Sequence, residues 1–246
     1  MTPFQIISDL HLETGIVYPV ESITPHSEVL VMAGDIGSFY NLDPLVDFLD
    51  KISSKFKHIL YVPGNHEYYY SLDDKPYQTT GHLLHKFKKA VSHIENLHVM
   101  DRHLVKINGT IFAGATLWSD PYPHKRLPDF MNLDKSLNEY ADMHKRDIKW
   151  LNRVADLNVG EESLVVITHH APSKTLVKKS RFTEMYDSFY ATSLEHTRIF
   201  KKANVWVFGH THNNVDKMFG NTRVISNQAG KKTDNCVVDV NQTVES

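Results

Sequence analysis

A single cysteine, Cys236, cannot close an internal disulfide, so nothing in the chain requires an oxidising compartment. No apolar run approaches the roughly 18 residues that a membrane span needs. An apolar strand-like segment, Phe4–Ile7, begins almost at Met1 and leaves no charged leader or cleavage region, so a soluble, cytoplasmic protein with no membrane partner is the expectation. A basic excess is also missing. Lys+Arg number 27 against 29 Asp+Glu, a net charge of -2, which disfavours a general nucleic-acid or membrane-surface binder. The chain shows no sequence repeat, no low-complexity tract and no linker rich in Gly, Pro or Ser. Hydrophobic residues at 41% and charged residues at 23% exclude disorder, collagen and coiled coil as main classes, and 246 residues suit one domain over 1–246. What stands in excess is histidine, with 16 residues; an even share among twenty residue types would be about 12, and histidine is normally scarcer than that.

Short β-branched runs alternate with helical periodicity. The strand candidates are Phe4–Ile7, Val29–Ala33, Ile59–Val62, Thr110–Gly114, Leu164–Thr168, Val205–Phe208, Arg223–Ile225 and Val237–Val240. Between them, Asp43 reads as a helix cap followed by a first-turn Pro44, with Leu45, Leu49, Ile52 and Phe56 on one face. Leu84, Phe87, Val91 and Ile94 form a second stripe, and Leu133, Leu137, Ala141, Ile148, Leu151 and Ala155 a longer one. Strands alternating with helices predict an α/β protein with open sheets, in which ligands collect at the carboxyl ends of strands.

The chemistry-bearing residues fall at those ends, repeatedly. Ser8-Asp9-Leu10-His11 follows the first strand, Gly34-Asp35 the second, and Pro63-Gly64-Asn65-His66-Glu67 the third. Thr168-His169-His170-Ala171-Pro172 ends a later strand, and Gly209-His210-Thr211-His212 another. Each block alone is ordinary turn or cap chemistry. His210-x-His212 is stronger, because alternate residues of an extended segment point the same way. Five blocks at one type of junction would gather at one rim of a sheet.

Carboxylate, imidazole and amide oxygen without thiolate suit divalent Mn, Fe, Zn or Ni, with Mn favoured, rather than a Cys-rich structural zinc site. Seven ligand candidates are too many for one tetrahedral ion and suit two ions about 3.5–4 Å apart with a bridging carboxylate. Two divalent ions less the charges of Asp9, Asp35 and a bridging hydroxide leave a positive residue of charge that would attract a phosphate, and a metal-bound water near neutral pKa would be the nucleophile. His66, beside a ligand on the same loop, could protonate the leaving-group oxygen.

In this order the blocks, from Phe4 to His212, resemble the calcineurin-like metallophosphoesterases. The resemblance implies a four-layer α/β/β/α sandwich, two mixed sheets face to face with helices outside. It implies that Asp9, His11 and His212 bind one ion, that Asp35 bridges, and that Asn65, His210 and His169 bind the other. His66 matches the position that protonates the leaving group and holds the phosphate, so His66 and Asp35 are the catalytic candidates. His169 is preferred to His170 because it directly follows the apolar strand; His170 would stand behind the ligands or face the substrate.

The chain departs from the Ser/Thr protein phosphatases. Gly34-Asp35 continues Ile36-Gly37-Ser38-Phe39, where those enzymes continue with an Asp-Arg-Gly that supplies an acid partner and a phosphate-binding arginine. The segments Phe112–Trp118, Thr168–Ser173 and Thr222-Arg223-Val224 leading to Asn227 and Gly230 are similar to a small uncharacterised branch of the family.

The expected partner is a small phosphate ester, a nucleotide among the options, with monoester and diester both open. Nuclease action on nucleic acid is the less favoured alternative, and a non-catalytic scaffold a third. Tyr68-Tyr69-Tyr70 could stack on a base but is expected to pack a loop. Lys178, Lys179 and Arg181 read as a solvated basic run, or as a lid over phosphate. The stretch Ser119–Asn132 is a candidate rim element, His144 a packing residue, and Cys236 a buried, inert thiol.

Overall fold

The strands of this chain are apolar on both faces, which demands cover on both sides. The computed structural model describes residues 1–70, 77–120, 129, 132, 133, 135–157, 162–179, 187–231, 233, 234 and 236–245. Arg181 and most of the stretch Ser119–Asn132 lie outside the described residues.

Two mixed sheets form. The first contains β1 (Phe4–Ile7), β2 (Val29–Ala33), β3 (His58–Val62), β4 (Leu97–Val99) and β11 (Thr243–Val244), in the order β11-β1-β2-β3-β4. The second contains β5 (His103–Ile107), β6 (Thr110–Ala115), β7 (Ser163–Thr168), β8 (Val205–Val207), β9 (Asp216–Phe219) and β10 (Thr222–Ile225), in the order β5-β6-β7-β8-β10-β9. In each sheet the strands that precede the His- and Asp-bearing loops are parallel neighbours: β1, β2 and β3 in one, β7 and β8 in the other. Parallel pairing puts their carboxyl ends at one edge.

Alternation along the strands builds the layers. Phe4, Ile6, Val29, Val31, Leu60 and Val62 face Phe112, Val165, Ile167, Val205, Val207 and Ile225 of the other sheet in one buried cluster. Phe4 and Phe112 meet edge to face at 5.6 Å across that interface. The opposite set, Ile7, Leu30, Met32, Ile59 and Tyr61, packs under α1 (Asp43–Ser53) and α2 (Thr80–Ala90). The outer face of the second sheet, through Val166, Trp206 and Val224, is covered by α3 (Leu137–Asp156) and α5 (Arg198–Lys202), while the one-turn α4 (Asp187–Tyr190) lies by the rim. This is the four-layer α/β/β/α arrangement.

Several expectations are corrected. Val237–Val240 is not a strand: Asn227 holds it by donating Nδ2 to the Asp239 carbonyl and accepting from the Asp239 amide, so side-chain bonds replace a ladder and Val237 is exposed. The C-terminal strand is instead Thr243–Val244, antiparallel to Phe4–Gln5. Cys236 is accordingly only half-buried and outside any strand. The strands with no apolar signature, β4, β5 and β9, are sheet edges, where half-exposed residues are tolerated. Asp43 is the first helical residue of α1 rather than its cap. In α2, Leu83 is buried and Leu84 only partly so; in the longer stripe, Leu137 and Ile148 are only partly buried.

Phe112 is fully buried at the inter-sheet contact. Phe112→Ala is expected to lower unfolding stability by about 3–5 kcal/mol in denaturant titration, without changing the residues of the rim.

Candidate metal centre

All seven ligand candidates meet at the rim where the carboxyl ends of the two sheets face each other. Asp9, His11 and His212 place ligand atoms within 4.8 Å of one another, and Asp35, His169 and His210 do the same. Asp35 lies between the groups, its Oδ2 4.0 Å from His11 Nε2 and its Oδ1 3.3 Å from His169 Nε2. Asn65 Oδ1 is 2.8 Å from His169 Nε2. His170 does not join them: its Nδ1 lies 3.4 Å from the Thr116 carbonyl, and its ring lies against His210 with centroids 4.1 Å apart. His66 is the most open of the histidines in this cluster, with its side chain 20% exposed between His11 and Tyr69.

The backbone is strained to make this convergence. Among the described residues, eight non-glycine residues have positive φ, and five of them are Asp9, His11, Asp35, His210 and His212. Left-handed conformations cost free energy at non-glycine residues and cluster where function over-determines them. Glycines permit the close approach. A Cβ on Gly64 would lie 2.2 Å from Asp35 Oδ1, one on Gly34 2.3 Å from His169 Nδ1, and one on Gly209 2.7 Å from Asp9 Oδ2.

The donor set fits divalent cations. His11 Nδ1 donates to Glu13 at 2.9 Å and His212 Nδ1 donates to Asp234 at 2.5 Å, so in each ring Nε2 is the nitrogen turned toward the site; the two Nε2 atoms face each other at 3.2 Å. His169 Nδ1 donates to the Ala33 carbonyl at 2.8 Å, which aims its Nε2 at the Asn65 carbonyl oxygen. The Asn65 amide is oriented by donating to Tyr69 and, at 3.0 Å, to Asp129. His210 Nε2 is buried with no hydrogen-bond partner among the described residues. Imidazole and amide atoms converging in this way suit a cation between them, a place that a proton takes without metal.

The electrostatics agree. Burial works against a charged His169, yet the Asp35 carboxylate raises it to about 10. Burial likewise opposes a charged His11, but the Glu13 hydrogen bond and the Asp35 and Asp9 carboxylates raise it to about 9. Burial also opposes ionised Asp35, and His169, His66 and His11 nevertheless hold it well below the usual carboxylate range. His210 goes the other way, lowered by burial and by His170 and His169. The site attracts positive charge and keeps one imidazole neutral.

The fold is that of a known group. A profile described as calcineurin-like phosphoesterase matches residues 2–214. The chain belongs to the calcineurin-like phosphoesterase family. A relative in Acanthamoeba polyphaga mimivirus, uncharacterized protein L509, is 26% identical over 94% of this chain and 91% of its own length. Among solved structures, the phosphopantetheinyl hydrolase PptH of Mycobacterium tuberculosis superposes with a TM-score of 0.72 at 19% identity, over 94% of this chain and 90% of its own, a likeness of fold. The coarse expectations, a metallophosphoesterase fold with His and Asp clusters able to hold metal, stand in this family member.

Four residues at the site carried no role in the sequence reading. Glu67, fully buried, accepts from the backbone N–H groups of Asp35, Ile36 and Gly64 at 3.0, 2.8 and 2.8 Å and from Tyr61 at 2.6 Å, tying two ligand loops together. Glu13, Asp129 and Asp234 each orient a ligand side chain. Glu13 sits two residues beyond His11, the one positional hint available. Asp129 and Asp234 come from distant segments, and no local pattern marks them.

The remaining candidates separate cleanly. Tyr68 packs in the core against Phe39 and Trp118, as expected, whereas Tyr69 lines the cleft over the clusters. That cleft, of about 530 Å³, is also lined by Lys178, Lys179, Lys231, Phe189 and Tyr190. His144 bonds the Trp118 carbonyl, away from the clusters.

Gly64→Ala is expected to leave the chain folded but to displace Asp35, lowering metal content per chain well below that of the wild type in elemental analysis after loading and desalting. Wild-type metal content in this variant would contradict the close-approach argument.

Proposed function

We propose that the chain, acting as one domain, is a hydrolase of phosphomonoesters or phosphodiesters that works with two divalent ions, Mn favoured. The observation that carries this reading is the convergence of metal-ligating atoms across the rim, His11 to His212 at 3.2 Å and His169 to Asn65 at 2.8 Å, with Asp35 between the pairs. Asp9, His11 and His212 would hold one ion, Asn65, His169 and His210 the other, and Asp35 both. Ions bound there would neutralise the phosphate charge and make a water acidic enough to attack phosphorus at neutral pH. His66 would protonate the leaving oxygen, since among the imidazoles that line the cleft, His66, His210 and His212, it has no place in the ligand set.

The cleft supports a small substrate. Lys178, Lys179 and Lys231 offer cations to an anionic group beyond the scissile phosphate, and Tyr69, Phe189 and Tyr190 offer ring faces, a combination suited to a nucleotide-sized ester. A cleft of about 530 Å³ and a net charge of -2 favour this over a nuclease, which needs a groove tracking a polymer. The complete ligand set speaks against a non-catalytic scaffold.

The test is turnover of a chromogenic phosphate ester by metal-stripped protein reloaded with Mn. Activity should return on reloading, and Asp35→Asn and His66→Ala should each lower kcat by about 10²-fold or more. A metal-loaded wild type inactive across monoester and diester panels would overturn the reading.

A further inference from the structure

Glu13 lies in a single 3-10 turn, Leu12–Thr14, that starts from the left-handed backbone of His11. Its Oε1 receives two histidines at once, His11 Nδ1 at 2.9 Å and His66 Nδ1 at 3.0 Å. A carboxylate only accepts, so both rings carry their proton on Nδ1. For His66 this leaves Nε2 as the nitrogen available to the cleft. The ring packs against two others, edge to face with His11 at 4.5 Å and tilted against Tyr69 at 4.4 Å between centroids, so Glu13 decides its tautomer and direction while the neighbours limit its plane. The other carboxylate oxygen, Oε2, is buried and has no hydrogen-bond partner among the described residues, so no other group there competes for Glu13.

We propose that Glu13 is a positioning residue for the leaving-group step, holding His66 with Nδ1 protonated and Nε2 toward the substrate, and linking that orientation to the ligand His11. The proposal rests on the assignment of His66 as the acid. In that step His66, carrying a second proton taken up from solvent on Nε2, passes it to the leaving oxygen, which keeps the electron pair of the breaking P–O bond. A water oxygen forms the new P–O bond and its proton leaves to solvent, from which His66 is recharged. Throughout, the Nδ1 proton stays on the bond to Glu13, so the ring returns to one orientation each cycle.

The experiment compares Glu13→Ala, Glu13→Gln and His66→Ala with wild type at saturating Mn, on aryl phosphates of graded leaving-group acidity. Protonation of the leaving group matters most where that group is a poor one. Glu13→Ala is expected to lose about 10-fold to 10²-fold on phenyl phosphate and little on an activated nitrophenyl ester. Glu13→Gln, which keeps an acceptor oxygen, should recover part of the loss. Adding Glu13→Ala to His66→Ala should remove no further leaving-group dependence, because that function has already gone, and any added loss through His11 should be equal across the esters. Equal losses across all leaving groups, or full additivity in the double variant, would overturn the proposal and leave Glu13 as support for His11 alone.

An independent readout needs no turnover. Side-chain nitrogen NMR of His66 should show a protonated Nδ1 in wild type, and this signature should be lost or mixed in Glu13→Ala. An unchanged His66 spectrum would overturn the positioning role whatever the activity. A wild type with the protonated Nδ1 but no phosphoester turnover would sink the proposed function, and with it the leaving-group role.

Discussion

Ligand atoms brought face to face repel one another unless a proton or a cation lies between them, and at this rim the fold holds several of them at contact distance. His11 and His212 present Nε2 to Nε2 at 3.2 Å, and His169 and Asn65 oppose nitrogen and oxygen at 2.8 Å. Such contacts persist only because the surrounding structure enforces them. The enforcement is visible as backbone strain, since Asp9, His11, Asp35, His210 and His212 all occupy the left-handed region. It is visible also at Gly34, Gly64 and Gly209, whose missing side chains are the space into which neighbouring ligands move. A bound cation would turn this repulsion into attraction, so the strain stored in folding becomes affinity for metal.

Around the inner set stands an outer set of carboxylates. Glu13 and Asp234 take the Nδ1 protons of His11 and His212, Asp129 takes an amide proton of Asn65, and Glu67 gathers the backbone amides of the two loops that carry Asp35 and Asn65. These groups aim the ligands without needing to touch a metal, and each raises the basicity or fixes the direction of the atom it aims. The division also separates charges. Few anions stand where a phosphate must approach, and the cleft mouth carries lysines.

The legibility of the sequence follows from where each signal is local. Buried strands write themselves as unbroken apolar runs, so β1, β2, β3, β6, β7, β8 and β10 could be read, and β1, β2, β3, β7 and β8 each carry a polar block at the carboxyl end. The edge strands could not, because β5 and β9 bury so little that their residues carry no run or alternation. Val237–Val240 misled for the converse reason: an apolar composition was held in place by Asn227 rather than by a neighbouring strand. Cys236, flanked by that stretch, inherited the error.

Sequence alone determined the seven ligand candidates, His66 beside them and the sandwich implied by their order, since each block is a short run whose meaning lies in its position after a strand. Only the tertiary structure decided which atoms face one another. The separation of His169 from His170 depends on where the Ala33 carbonyl falls, 136 residues away in the chain. The partnerships of Glu13, Asp129 and Asp234 depend likewise on side-chain direction across segments that sequence spacing does not relate. Residue type and strand position are local properties of a chain. The angle at which a lone pair meets its neighbour is a property of the packed whole.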